Sequence, residues 1–153
     1  MQLRDRFTQE MKDALKSGDK RKLATVRMIQ AALKDKDIEA RGAGRGQASD
    51  EEVLALLQKM IKQRQESIGI YEQAGRAELA QQEREEAEVV ASFLPKQMDE
   101  AEVRQAIQAA IAETGAASLK DMGKVIGALR GKYAGRMDFG RASALVKEML
   151  PKG

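Results

Sequence analysis

Apolar residues recur along most of this chain every three or four positions, the period of a helix with one buried face. Leu23, Val26, Ile29 and Leu33 share one such face, and Leu54, Leu57, Ile61, Ile68 and Tyr71 share another. No segment alternates in the period of two that marks a strand. Residues 2–16 read as a first helix stopped by Gly18, and Asp19 is placed to cap a second. Ser49 and Glu52 form a capping box at the start of a long third helix, which Gly75 ends in a left-handed turn. A fourth runs from about Arg76 to Ser92. Between the second and third lies RGAGRGQAS (41–49), read as a flexible linker. Its glycines follow a helix rather than a strand, and it lacks the Gly-Lys-Ser/Thr ending of a nucleotide-binding loop.

FLPKQMD (93–99) breaks the pattern, because the residue before Pro95 avoids helical geometry. Asp99 then caps a helix with Val103, Ile107 and Ile111 inward, and Gly115 ends it. Ser118 caps the next, with Leu119, Met122, Val125, Ile126 and Leu129 inward. Asp138 caps the last, with Ala142, Leu145, Val146 and Met149 inward. The expectation is an all-α protein of two helical subdomains: an N-terminal bundle over 1–95 and a C-terminal three-helix domain over 96–153.

Composition narrows the chemistry. Aromatic residues make up only 3% of 153 and Trp is absent, so the core must be aliphatic with Met as filler. Cysteine and histidine are both absent. That removes disulfides, thiol chemistry, the usual general base and the commonest metal ligand. The acidic run EREEAE (83–88) lacks the Glu-x-x-His pairs of a di-iron bundle and reads as a solvated face. The expectation is no metal and no cofactor. The charged start (MQLRDRFTQEM) and the absence of a long apolar run point to a cytoplasmic protein without a membrane span.

Charge is unevenly spread. Residues 96–153 hold ten Lys or Arg against seven Asp or Glu, whereas residues 1–95 balance at seventeen of each. The excess concentrates in DMGKVIGALRGKYAGRMDFGR (121–141), where glycine recurs every fourth residue at Gly123, Gly127, Gly131 and Gly135. An interior glycine costs a helix ~1 kcal/mol relative to Ala, which calls for a packing or binding reason. Gly123 and Gly127 on one side of a helix would let it approach either another helix or a sugar–phosphate backbone. Gly131 and Gly135 read as terminating and turning the chain. The candidate polyanion-binding residues are Lys120, Gly123, Lys124, Gly127, Arg130, Lys132, Gly135, Arg136 and Arg141. Scarce aromatics argue against base stacking but not against recognition by shape and phosphate.

TVRMIQAALKDKDIE (25–39), LQKMIKQRQESIGIYEQAGRAELAQQEREEAEVVASFLPKQM (57–98) and ETGAASLKDMGKVIGALRGKYAGRMDFGRASALVKEML (113–150) closely resemble the GatB/YqeY family. The most specific segments are FLPKQM, KDMGKVIGAL and GRMDFGRAS. Met137 stands where the family often has Ala, and Ala142 where it often has Val. The resemblance implies two all-helical subdomains, the second similar to the tail of the tRNA-dependent amidotransferase B subunit. It also implies the family label of a carbon–nitrogen ligase with glutamine as amido-N-donor. In the amidotransferase the catalytic sites lie in domains absent from this chain, and no Cys or amidase-like serine segment supplies one here. The expectation is a non-catalytic accessory module that binds tRNA. The alternative is a protein–protein adaptor whose partner is an aminoacyl-tRNA synthetase or amidotransferase subunit.

Overall fold

The computed structural model describes residues 2–151. Seven α-helices and one 3-10 turn make up its regular structure, with no strand among the described residues. The chain divides into two compact units, one ending at Leu94 and the other beginning at Pro95.

The first unit contains α1 (Leu3–Ser17), α2 (Lys20–Gly42), α3 (Asp50–Gln73) and α4 (Ala77–Ala91). Helices α1 and α2 form one hairpin and α3 and α4 another, with α2 also packed on α3 and α4. The turns are made by Gly18 (φ 73°) and Gly75 (φ 72°), in the left-handed region that glycine enters without steric cost. Asp19 accepts a hydrogen bond from the Lys22 N–H, and Ser49 and Glu52 form the expected reciprocal box. Phe7 and Phe93 meet edge to face at 4.8 Å in the core, among Val26, Ile29, Leu33, Leu57 and Val90.

Three features differ from expectation. Helix α2 continues to Gly42, so it occupies the start of the 41–49 linker, and Ala48 within that segment is buried. Helix α3 turns Val53, Leu57, Met60 and Arg64 inward, while Leu54, Ile61, Ile68 and Tyr71 are only half-buried. The acidic run of α4 is not simply a solvated face. Glu85 pairs with Arg21 at 3.1 Å, and Glu86 faces the buried Arg64 at 3.4 Å. Burial, reinforced by the Glu86 charge, pushes the Glu83 carboxyl above its ordinary range.

A lock between helices also escaped the sequence reading. Asp37 accepts two hydrogen bonds from Arg4, at 2.8 and 2.9 Å, and a third from the Ala48 N–H at 2.9 Å. These bonds join α1, α2 and the segment before α3. The Arg4 hydrogen bonds, with the Ala48 N–H, hold the Asp37 carboxyl down at about 2. A depressed carboxyl contributes stability that is present above its unfolded pKa and is lost as pH falls through the folded value. Asp37→Asn is therefore expected to cost up to about 2 kcal/mol at neutral pH. The gap to the parent protein should close as pH falls from about 4 towards about 2. Urea denaturation across that range measures it, and a gap independent of pH would show that the charge of Asp37 is not what stabilises the lock.

The second unit contains α5 (Glu100–Thr114), a 3-10 turn (Leu119–Asp121), α6 (Met122–Tyr133) and α7 (Phe139–Met149). Asp99 and Glu102 form a second capping box, and Gly115 (φ 67°) ends α5. Val103, Ile107, Val125, Leu129 and Val146 fill the core. Ala106, Ala110 and Ala142 are buried beside them, their small side chains letting the helices approach closely. Met137 is buried too, so the larger residue in the loop before α7 is absorbed as core filling.

Candidate nucleic-acid interface

The face of interest is built on α6. Ser118 accepts from the Lys120 N–H at 3.4 Å, and the Asp121 carboxylate accepts from the Ala117 N–H at 2.9 Å, fixing the turn that starts the helix. The Ala117 hydrogen bond holds the Asp121 carboxyl below its ordinary range. Val125 and Leu129 then point into the core. At about 100° per residue, this leaves Gly123, Gly127 and Gly131 on the opposite side, one above the other on successive turns.

All three glycines are exposed, and a Cβ added to any of them would meet nothing within 4 Å. They are not there to let another helix of this unit pack closely. Gly131 does not end the helix either; it lies inside α6, two residues before its last. Gly135 does turn the chain, with φ 79°, and is buried. What α6 presents is a strip of bare backbone.

The cations divide into those that border the strip and those committed elsewhere. Lys124 and Arg130 lie on its two sides. Lys124 is exposed and 3.9 Å from Asp121, and Arg130 is exposed with its guanidinium 5.5 Å from the Phe139 ring centre. Lys120 in the preceding turn and Arg141 in the first turn of α7 are exposed, with no ion pair among the described residues. Lys132 points away from the strip and grips both carboxylate oxygens of Glu113 on α5, at 2.8 and 2.9 Å. That pairing raises the Lys132 pKa. Arg136 is half-buried, donates to the Lys96 carbonyl at 3.2 Å, and lies 5.8 Å from the Tyr133 ring centre. Its own carbonyl accepts from the Met98 N–H at 2.9 Å. Arg136 and Gly135 thus shape the loop into α7.

The arrangement suits an anionic backbone. Exposed cations supply charge, and glycine removes the side chains that would hold a ribose–phosphate chain away from the helix. Phe139 and Tyr133 are half-buried under arginines and offer no open platform for a base. Among the described residues, no group of three His, Cys, Asp or Glu is placed to hold a metal ion, and no helix is long and apolar enough to cross a membrane. A model of the YqeY-like protein family matches residues 4–150. No curated protein matches the chain.

Proposed function

Because the chain belongs to the YqeY-like protein family, we propose that it is a non-catalytic accessory module that holds tRNA through the α6 face of its second unit. The observation that carries this reading is the exposed strip of Gly123, Gly127 and Gly131 bordered by Lys124 and Arg130. Binding through phosphates and sugars fixes position without reading bases, which fits a module that delivers or steadies RNA for another enzyme. The resemblance of this unit to the tail of the tRNA-dependent amidotransferase points the same way. A carbon–nitrogen ligase activity within this chain gains no support from its residues, which include neither Cys nor His.

The test replaces Lys120, Lys124, Arg130 and Arg141 by Gln in the full chain and leaves the committed Lys132 and Arg136 alone. Binding should weaken for many tRNAs alike. The salt dependence should flatten by about 3–4 in logarithmic slope, roughly one unit for each phosphate that is no longer neutralised. Unchanged affinity and slope in a variant with a native circular dichroism spectrum would move the reading to the protein adaptor.

A further inference from the structure

Helix α2 carries four cations in a line. Lys20, Arg27, Lys34 and Arg41 are each seven residues from the next. Seven residues is almost two full turns, so the four share one face and repeat every ~10.5 Å over ~31 Å. The balanced net charge of the first unit conceals this row.

All four are exposed, and none has an ion-pair partner among the described residues. Their neighbours differ: Arg4, Arg21, Lys22, Lys36 and Arg45 each pair with a carboxylate. The carboxylate one turn from Lys34 and Arg41 is Asp37, and both its oxygens are taken by Arg4. No other acid stands three or four residues from any member of the row. Lys20 lies in the first turn of α2, at the positive end of the helix dipole, where a cation is unfavourable. Folding gains nothing from that placement. Lys34 and Arg41 also line a cleft between α1 and α2 together with Thr8 and Gln30. Beside the row stand Ala24, Met28, Ala31 and Ile38; only Met28 and Ile38 are large, and the Met28 sulfur is engaged by the Arg64 guanidinium, so the row presents more charge than apolar surface.

We infer that this face of α2 is a second RNA-backbone contact, separate from α6, which lies along a duplex and takes its phosphates without regard to sequence. Regularly spaced, unpaired cations without an accompanying aromatic ring are suited to phosphate and not to bases.

The experiment uses the full chain and a short RNA duplex of arbitrary sequence, titrated over a range of salt. Replacing Lys20, Arg27, Lys34 and Arg41 by Gln should lower the logarithmic salt slope by about 3–4 and weaken low-salt binding by roughly tenfold or more. The same fall should appear when the α6 cations have already been replaced. The inference therefore survives if the α6 reading fails, and the reverse also holds. None of the four forms an ion pair, and Arg41 makes one exposed hydrogen bond, to the Gly46 carbonyl at 3.3 Å, so the thermal midpoint should move by only a few degrees. Unchanged slope and affinity would overturn the inference. So would a parent chain that ignores the duplex but binds an acidic helical peptide through these same residues, which would make the row a protein-binding face.

Discussion

Replacing Gly123, Gly127 and Gly131 together by Ala should make the protein more stable and a poorer binder of tRNA. The three sites lie inside α6 with open space around each added methyl, so no overpacking opposes the change. Ala restricts the unfolded chain and favours the helix by ~0.5–1 kcal/mol per site. Gly127 is in mid-helix, whereas Gly123 and Gly131 lie in the first and last turns, where propensity counts for less. The expected total is therefore about 2 kcal/mol. For a unit of this size that corresponds to a rise of roughly 8–15 °C in its melting midpoint. If RNA lies against the bare strip, three methyl groups hold it off, and affinity should fall on the order of tenfold, or ~1.4 kcal/mol. Thermal denaturation and tRNA titration of one variant measure both. Higher stability with unchanged binding would leave the flanking charges as the whole interaction. Lower stability would mean that the strip is covered by a partner in solution.

The second large effect lies at Arg64, the one charged side chain buried in the first unit among the described residues. It reaches Glu86 at 3.4 Å and donates to the Met60 carbonyl at 3.2 Å, and its Nε has no hydrogen-bond partner among the described residues. Arg64→Met keeps an unbranched apolar stem and removes the guanidinium, leaving Glu86 and Glu83 half-buried without their cation. Breaking a buried pair from one side costs about 3–5 kcal/mol, because the charge left behind has been stripped of both water and partner. The loss should depend on pH with a definite sign. Burial and Glu86 already raise the Glu83 carboxyl, and Arg64 is what opposes them. With Arg64 gone the folded-state pKa rises further above the unfolded value, so stability falls as pH rises through that interval. The variant should stand closest to the parent near pH 4 and furthest behind above neutrality. Adding Glu86→Leu should recover most of the deficit, since replacing both members of a buried pair by apolar residues is often neutral or better. Urea denaturation of the single and double variants measures this. A double variant no more stable than Arg64→Met would show that Arg64 acts through packing and not through its charge.

Sequence alone determined the helices and most of their ends, although α2 runs on to Gly42 and Gly131 lies inside α6. Gly18, Gly75 and Gly115 end helices because a left-handed residue terminates the ladder wherever the rest of the fold goes. The boxes of Ser49 with Glu52 and Asp99 with Glu102 likewise need only residues three apart. Tertiary structure alone decided which way α3 faces. That helix carries apolar residues on more than one side, so its periodicity admits several inward faces, and only the position of α2 and α4 selects Val53, Leu57, Met60 and Arg64. Tertiary structure also decided the use of each charge. Lys124 and Lys132 look alike in the sequence, yet Lys132 finds Glu113 nineteen residues away while Lys124 stays at the border of the glycine strip. Arg4 finds Asp37 thirty-three residues away, and so Lys34 and Arg41, each one turn from that carboxylate, form no ion pair with it. The glycine spacing was visible from the start, but whether the strip met a helix or open solvent was not. Caps and turns act over three or four residues, whereas burial and ion pairing depend on which distant residue arrives alongside.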